Sequence, residues 1–321
     1  MMGAAPGLED VYRARRAIAG TIRRTPLMRH ALLAAETGLD VLVKHENHNP
    51  TGAFKVRGGL NLIASLSAAD RARGVITAST GNHGQSIAFA ATRAGVPCTL
   101  VVPQGNNPGK NALMRAWGAT LIEHGKDFDD ARELVERLCE ERGLRYVHSA
   151  NEPDLISGVG TYALEIFETL AGVGTVFVPI GGGSGACGLI TVRDALGLKT
   201  RIVGVGAERA SAVAESWRTG TRIVGTSADT FAEGVATRVT FDLTFGILQR
   251  GLDDFVLLSE DELADGVRAA LRLTHNLAEG AGGAGIAAAM KCRDQIAGQR
   301  VVCVMSGGNL DPARLRHILT T

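Results

Sequence analysis

The chain has little of what marks several specialised protein classes. Its five cysteines are odd in number, scattered and without a C-x-x-C pair, so neither a disulfide framework nor a zinc ribbon is indicated. No stretch approaches the ~18–20 apolar residues that a membrane helix needs. The first residues also lack a basic segment leading into an apolar one, so they do not resemble a secretory signal. We therefore expect a cytoplasmic protein.

An excess of charge of one sign is also absent. The 34 Lys and Arg residues balance 33 Asp and Glu residues, and no block carries a single sign. Such a balance gives no electrostatic reason to bind nucleic acid or a membrane surface. We expect the partners to be a small molecule and further copies of the chain, in a homodimer or a higher homo-oligomer.

What the chain does have is an alternation of apolar runs of strand length with amphipathic stretches of helical length. This pattern predicts βαβ units on mostly parallel sheets, so the fold class is α/β. One doubly wound unit is predicted from strands Val75–Ala78, Thr99–Val102, Thr120–Glu123 and Tyr146–His148 and helices Gln85–Ala94, Lys110–Trp117 and Asp129–Arg142. We predict a small domain at 54–148, inserted into a large domain made of 1–53 and 149–321, with any ligand in the cleft between them.

A glycine-rich loop, PIGGGSGACG, joins the predicted strand Val176–Pro179 to the predicted helix Ala186–Leu196. Backbone N–H groups at such a helix start bind phosphate, helped by the positive end of the helix dipole. The glycines also give the G-x-G-x-x-G spacing of dinucleotide-binding proteins, and Glu208 follows where such a fold places its ribose-binding acid. The loop predicts an anion site. An NAD-dependent oxidoreductase that uses Gly183, Gly185 and Gly188, and a glycine turn without a ligand, both stay open.

Lys55 lies in the segment NPTGAFKVRGG, one turn into a predicted helix that follows a run of turn-forming residues. Lysine is usually solvated, but the neighbours of this one are Ala53, Phe54 and Val56. Desolvation among apolar groups lowers the pKa of an amine and supplies the neutral nucleophile that Schiff-base chemistry needs. Two more segments carry polar groups beside glycines at the ends of predicted strands, STGNHGQS and MSGGN.

Together these segments resemble the fold-type II pyridoxal-phosphate (PLP) enzymes, and among them the serine/threonine dehydratase and serine racemase branch. The resemblance runs through TPLMRH, PTGAFKVRG, STGNHGQS, ISGVGTYALE, PIGGGSG, AEGAGGAG and MSGGN, which span nearly the whole chain. It implies the tryptophan synthase β-like fold, with two doubly wound domains. It also implies a threonine dehydratase-like chain with no regulatory domain, because the sequence ends soon after SGGN.

The resemblance also implies roles for individual residues. Lys55 would carry the cofactor as a Schiff base beside Phe54, Asn82 would hydrogen-bond its 3′-oxygen, and Ser306 would face its pyridine nitrogen. The phosphate would be held by Gly181, Gly182, Gly183, Ser184 and Gly185. The substrate carboxylate would be bound by Ser79, Thr80, Gly81 and His83.

The implied reaction is the dehydration of a 3-hydroxy amino acid such as threonine, phenylserine or serine to a 2-oxo acid and ammonia. A hydroxyl at the pyridine nitrogen, unlike a carboxylate, does not hold that nitrogen protonated, which favours rapid loss of a leaving group at Cβ. Lys55 would be the general base at Cα. Thr80 stands where serine racemases carry a catalytic serine, so racemisation is an alternative, as are β-replacement and a non-catalytic ligand-binding protein on the same fold.

Two departures from the family pattern bear on the substrate. Val159 replaces the glutamine usual in this family, and Ala53 stands where serine is frequent. With no added cation in view to pair with a second carboxylate, we expect an apolar pocket wall. This interpretation ranks threonine and phenylserine above serine, and serine above 3-hydroxyaspartate.

Metal binding is expected to be weak. The positions that hold a divalent cation in the racemase branch correspond here to Glu208, Ala212 and Ala214, so the third site has lost its carboxylate. A hard cation normally needs more than one carboxylate, so a monovalent ion or water is expected instead. The H-x-x-H of His45 and His48 is also typical of a zinc site, but it offers no third ligand nearby in the sequence.

Overall fold

Two β-sheets organise the protein in a computed structural model, which describes residues 4–321. The strands are β1 Leu27–Arg29, β2 Asp40–His45, β3 Val75–Ala78, β4 Cys98–Val102, β5 Thr120–Glu123, β6 Arg145–Tyr146, β7 Val173–Pro179, β8 Arg201–Ala207, β9 Asp254–Leu258 and β10 Arg300–Met305. The helices are α1 Leu8–Ile18, α2 Ala31–Thr37, α3 Lys55–Ser65, α4 Ala68–Arg73, α5 Asn82–Arg93, α6 Pro108–Ala116, α7 Phe128–Arg142, α8 Pro153–Thr169, α9 Ser184–Ala195, α10 Ala212–Thr219, α11 Asp242–Gly251, α12 Glu260–Thr274, α13 Gly280–Lys291 and α14 Pro312–Thr320.

The larger sheet has the strand order β1-β2-β10-β7-β8-β9, and the smaller has the order β5-β4-β3-β6. Only β1 pairs antiparallel with its neighbour among the described strands. The chain leaves β7 towards β8 and β9 and returns on the other side as β10, and it leaves β3 towards β4 and β5 and returns as β6. Each sheet thus has a topological switch point, next to β7 and next to β3, where open α/β sheets bind ligands.

Apolar residues on both faces of each sheet explain why helices cover both. Alternate residues of β10 belong to different clusters: Cys303 packs with α12 and α13, and Val304 packs with α8 and α9. In the smaller sheet, Val75 packs against α3 and α5, while Ile76 packs against α7. Such two-sided burial is typical of parallel sheets. The predicted α/β class with mostly parallel sheets is confirmed, and the 54–148 domain boundaries stay a prediction.

Several helix starts were predicted too late. The helices expected from Gln85, Lys110 and Ala186 begin at Asn82, Pro108 and Ser184, and β6 ends at Tyr146. The first turns of these helices consist of polar, glycine and proline residues, which an apolar periodicity does not register. Lys55 likewise is the first residue of α3, and not one turn inside it.

No helix within residues 4–321 combines the length and the hydropathy that a bilayer span requires.

Four buried charges tie α3 to the larger sheet and to α8. The Arg57 guanidinium donates to both carboxylate oxygens of Glu46, at 2.7 and 2.9 Å, and to Glu165 Oε1 at 2.7 Å. Lys44 Nζ donates to Glu165 Oε2 at 2.5 Å, and Thr25 Oγ1 donates to Glu46 Oε1 at 2.6 Å. Two cations thus face two carboxylates, so each charge in this ionic network is compensated. Buried charges are tolerated when they are paired and hydrogen-bonded in this way.

Replacing Glu165 with Gln should therefore destabilise the protein strongly. The amide would leave the two buried cations, Arg57 and Lys44, with Glu46 as the one remaining carboxylate of the network, and breaking one member of a buried ion pair costs about 3 kcal/mol or more. Glu168→Gln is the matched control, because this residue of the same helix pairs with Arg15 and Arg24 at the surface. An exposed pair contributes less than about 1 kcal/mol. Urea unfolding checks the difference, and equal losses in the two variants would show that the network is not the stabilising feature.

Candidate active site

A cavity of about 170 Å³ lies where the carboxyl ends of the two sheets meet. Loops that follow β3, β7 and β10, together with the start of α3, form its walls. The lining residues are Phe54, Lys55, Ser79, Thr80, Gly81, Asn82, His83, Lys110, Pro179, Gly181, Gly182, Gly183, Ser184, Gly185, Glu233, Gly234, Glu279, Ala281 and Ser306. The cofactor and substrate positions suggested by the sequence, which are far apart along the chain, therefore meet in one cavity.

Backbone pairing sets the position of Lys55 relative to Ser306. Phe54 N–H donates to the Ser306 carbonyl at 3.0 Å, and Ala53 forms an isolated antiparallel bridge with Gly307. Ser86 Oγ donates to the Lys55 carbonyl at 2.7 Å from the side of α5. The segment that carries Lys55 is thus fixed from the larger sheet and from α5 before its side chain enters the cavity.

The Lys55 side chain carries the chemically distinctive group of the cavity. Burial lowers the pKa of its amine to about 8. The amine donates to Ser184 Oγ at 3.1 Å and lies 5.4 Å from the centre of the Phe54 ring. A lysine with a lowered pKa holds more of the neutral amine near neutral pH, and neutral amines attack carbonyl carbons.

The glycine loop between β7 and α9 brings bare backbone to the cavity, next to the Lys55 amine. Gly183 has φ +93°, in the left-handed region that favours glycine. A Cβ atom on Gly181 would lie 2.3 Å from the Gly234 carbonyl oxygen, so this approach also requires glycine. Tyr162 Oη donates to the Gly185 carbonyl at 2.8 Å and fixes the first turn of α9. The loop thus presents N–H groups at a helix start, as a phosphate site requires.

The loop after β3 forms a third wall. Ser79 Oγ accepts a hydrogen bond from Gly84 N–H at 2.9 Å, which closes the turn around Thr80 and Gly81. His83 is buried, and desolvation lowers the pKa of its imidazole to about 3, so the ring is neutral. With its backbone N–H groups at the start of α5, this loop suits a second anion.

Asn82 is oriented by two side chains. Its Nδ2 donates to Glu279 Oε1 at 2.6 Å, and its Oδ1 accepts from Asn309 Nδ2 at 2.7 Å. These bonds turn the amide nitrogen towards the cavity wall that Glu279 forms. Burial raises the pKa of the Glu279 carboxyl to about 7, although the bond from Asn82 acts in the opposite direction.

Sequence reasoning assigned no role to three charged residues of the cavity. Glu279 lies in AEGAGGAG, which entered the family resemblance without any role for its acid. Lys110 and Glu233 form an ion pair at the cavity wall, and Lys110 is the more buried of the two. Lys110 places a cation on the wall of the cavity, where none was expected. A charged residue in the first turn of α6 could have been considered, but nothing in its sequence shows which way it points.

Two residues expected at the cavity lie elsewhere. Val159 is only 1% exposed and packs in the apolar cluster between α1, α8 and α9, and Ala53 is fully buried beside Gly307. Neither lines the cavity. The prediction that Val159 gives the substrate an apolar wall is therefore wrong. Helix α8 is apolar around most of its circumference, so its sequence does not identify the face that approaches a ligand.

The positions suggested for a metal lie at the end of β8 and in α10. Glu208 begins a short 3₁₀ helix and is exposed, while Ala214 is buried in an apolar cluster. The Ala212 carbonyl accepts a hydrogen bond from Ser216 Oγ at 2.6 Å. His45 Nε2 lies 2.8 Å from His30 Nε2, so the sequence-distant His30 is the partner of this histidine. Residues 4–321 contain no group of three or more His, Cys, Asp or Glu side chains arranged to hold a metal.

Comparisons with known proteins identify the family. A family model described as pyridoxal-phosphate dependent enzyme matches residues 18–307. The chain belongs to this family. It is 37% identical over 312 residues to an L-threonine ammonia-lyase of Thermotoga maritima, covering 97% of this chain and 78% of that protein.

Solved structures of this family have the same fold. A threonine deaminase isoform 2 of Solanum lycopersicum superposes with TM-score 0.91 at 29% identity, covering 100% of this chain and 91% of that one. A maize serine racemase superposes with TM-score 0.93 at 28% identity, covering 99% of this chain and 98% of that one. The predicted fold-type II class is confirmed. Membership in a PLP-dependent family also argues against the nicotinamide interpretation of the glycine loop.

The cavity fits PLP. The cofactor needs an amine for its aldehyde, a site for its phosphate and a partner for its ring nitrogen. Lys55 offers a buried amine, the Gly181–Gly185 loop offers backbone N–H groups at a helix start, and Ser306 offers a hydroxyl. All three line one cavity, as a cofactor with reactive groups at different edges requires.

The raised pKa of Glu279 predicts a pH-dependent stability. In the folded protein its carboxyl titrates near 7 instead of 4.5, so the folded state binds this proton more tightly than the unfolded chain. Glu279 therefore contributes most to the stability of the folded state below pH 4.5, and this contribution is lost as the pH rises to about 7. Glu279→Gln cannot titrate, so it should gain stability relative to the unmodified protein across this window. Urea unfolding at several pH values measures this difference, and Glu141→Gln, at an exposed position, is the control. If all three proteins lost stability in parallel as the pH changed, the prediction would be wrong.

Proposed function

We propose that this protein removes water from a 3-hydroxy amino acid, with L-threonine as the leading substrate, and releases a 2-oxo acid and ammonia. The observation that carries the proposal is the desolvated amine of Lys55, which shares one cavity with a phosphate-type loop, a carboxylate-type loop and the Ser306 hydroxyl. The relative at 37% identity is named L-threonine ammonia-lyase, which supports the same reaction here.

We assign the cofactor to residues that lie near the carboxyl ends of both sheets. PLP, when bound, supplies an aldehyde that condenses with amines and a ring that withdraws electrons from Cα. Lys55 holds that aldehyde beside Phe54, and the phosphate lies on Gly181, Gly182, Gly183, Ser184 and Gly185. Asn82 directs its amide nitrogen to the ring oxygen, because Asn309 occupies its carbonyl oxygen. Ser306 meets the pyridine nitrogen with a hydroxyl, which does not force a proton onto it.

The substrate carboxylate binds to the loop after β3. The hydroxyls of Ser79 and Thr80 and the backbone N–H groups of Gly81 and His83 supply the donors. The His83 ring is neutral, so it adds no second charge beside Lys55. A carboxylate held at the start of α5 also gains from the helix dipole.

Lys55 moves the proton. With the substrate amine bound to the cofactor, the freed neutral amine of Lys55 would take the proton from Cα and become an ammonium. The hydroxide that leaves Cβ would be protonated to water, and we propose the cofactor phosphate on the glycine loop as the acid. The remaining unsaturated amine hydrolyses to the 2-oxo acid and ammonia.

Racemisation is a second candidate, because the maize serine racemase shares the fold over nearly the whole chain. It requires an acid and a base on opposite faces of Cα. Thr80 lines the cavity and retains a hydroxyl, but its branched side chain is stiffer than serine. We therefore rank racemisation below dehydration. We also propose a cytoplasmic location, in line with the scattered cysteines, and a homo-oligomeric state, in line with the balanced charge of the chain.

Because Val159 does not line the cavity, substrate selectivity must rest on other residues. The preference for phenylserine loses its support, and Lys110 places a cation where an anionic side chain could reach. Lys110 is already paired with Glu233, however, so a second carboxylate would have to displace that partner. We propose that uncharged side chains are favoured and that threonine is preferred over 3-hydroxyaspartate.

Lys55→Ala should abolish the release of 2-oxobutanoate from L-threonine, with a loss of at least about a thousandfold, because it removes both the covalent anchor and the base. The visible absorbance of the bound cofactor should shift with it. Lys199→Ala, at an exposed position, is the matched control. A coupled assay for the 2-oxo acid measures the rate, and circular dichroism verifies the fold. Turnover of the Lys55 variant at the rate of the unmodified protein would exclude the mechanism.

Magnesium should have little effect on the activity. Of the positions suggested for a divalent ion, only Glu208 offers a carboxylate, and Ala214 is buried among apolar side chains. We propose that a monovalent ion or water occupies this region instead. Dialysis against a chelator, followed by magnesium addition, should leave the dehydration rate unchanged, and isothermal titration should detect only weak binding. Activity that a chelator removes and magnesium alone restores would contradict this.

A further inference from the structure

The side chain of Ser184 makes a contact that a phosphate loop does not require. Its Oγ accepts the hydrogen bond from Lys55 Nζ at 3.1 Å, and within residues 4–321 this amine makes no other hydrogen bond. Phosphate binding by backbone N–H groups needs only the main chain of the loop. A serine at this position adds an acceptor that faces the amine.

Ser184 is held more rigidly than the lysine it contacts. It is the first residue of α9, it is 2% exposed, and Tyr162 Oη bonds the carbonyl of the next residue at 2.8 Å. A Cβ on Gly188 would lie 2.8 Å from Gly160 N, so α9 packs closely against α8. Lysine has a flexible four-carbon stem, so a fixed acceptor restricts where its nitrogen lies.

The charged groups around the cavity leave this amine without an anionic partner. Glu279 bonds Asn82, and Glu233 pairs with Lys110. His83 and His148 have lowered pKa values, chiefly through burial, and stand as neutral rings. Ser184 is therefore the acceptor that supports Lys55 in both its neutral and its charged form.

We propose that Ser184 is a positioning residue for the Lys55 amine. The inference rests on the proposed function. While the substrate occupies the cofactor, Ser184 Oγ accepts one N–H of the neutral amine, which leaves the lone pair free to face Cα. After the amine has taken the α-proton, the same oxygen accepts one N–H of the ammonium. The Ser184 O–H stays free to donate to the phosphate on the same loop, so one side chain contacts both the base and the phosphate.

Exchange of the Cα proton tests this role separately from dehydration. L-Alanine carries no leaving group at Cβ, so in D₂O the cofactor-loaded enzyme should replace its Cα hydrogen with deuterium, which NMR measures. Ser184→Ala should lower this exchange about tenfold, the value of one hydrogen bond of ordinary strength. In the pH profile of the exchange rate, the rise on the acid side should move to lower pH in this variant, because an acceptor that stabilises the Lys55 ammonium has been lost.

Three further variants serve as controls. Ser184→Thr keeps the hydroxyl and should restore the exchange. Ser184→Gly removes the same hydroxyl and replaces the alanine variant if that one does not load cofactor. Ser86→Ala is the matched control, because Ser86 Oγ bonds the Lys55 carbonyl and not its amine, so the pH profile should not move.

Absorbance titration with PLP gives a readout that does not depend on turnover. If Ser184→Ala binds the cofactor more weakly but exchanges normally once loaded, the hydroxyl is only a phosphate ligand and the inference is wrong. Unchanged exchange with an unchanged pH profile also overturns it. If the unmodified enzyme exchanges alanine but releases no 2-oxo acid from any 3-hydroxy amino acid, the proposed function fails, and the role of Ser184 stands on the exchange data.

Discussion

The ion pairs that Arg57 makes with Glu46 and Glu165 hold the start of α3, and Lys55 is the first residue of that helix. Because all three charges are buried, none can move without losing its partner in a medium of low dielectric constant. Glu46 follows β2 directly, so the turn between β2 and α3 is fixed at both ends. The long, flexible side chain of Lys55 thus begins from a backbone position that the charges determine. Ion pairs made two residues further along the helix, at Arg57, thus restrict where the amine can reach.

Topology brings the remaining groups to that amine. The glycine loop follows β7 and Ser306 follows β10, which are neighbours in the larger sheet, while the Ser79–His83 loop follows β3 of the smaller sheet. In parallel strands the carboxyl ends lie at one edge, so loops distant in sequence share that edge. This explains why two helix starts lie in one cavity, the start of α9, which suits a phosphate, and the start of α5, which suits a carboxylate. It also explains how groups that follow strands of both sheets can hold one cofactor, as proposed for Lys55, Ser306 and Asn82.

Sequence patterns predicted the class, the family motifs and the segments that line the cavity, because glycines, turn residues and apolar runs act locally. They did not predict the direction of individual side chains. Val159 and Ala53 were expected near the substrate from the motifs that contain them, but their positions are set by the packing of α8 and by the pairing with Gly307. Lys110 and Glu279 lie on the cavity wall because α6 and α13 meet across it. His30 meets His45 through the pairing of β1 with β2. Such contacts depend on how distant elements close together, which no local pattern records.

A single backbone hydrogen bond, from Phe54 N–H to the Ser306 carbonyl, joins the proposed anchor of the cofactor to the proposed partner of its ring nitrogen. The proposed carboxylate site follows β3 of the smaller sheet. In the proposed function, the amine of an α-amino acid would meet the cofactor at Lys55 while its carboxylate binds the loop after β3. A simple amine has no group for that loop, so it would lose the contacts at the start of α5. The proposed site thus distinguishes amino acids from simple amines by a loop that only a carboxylate fills.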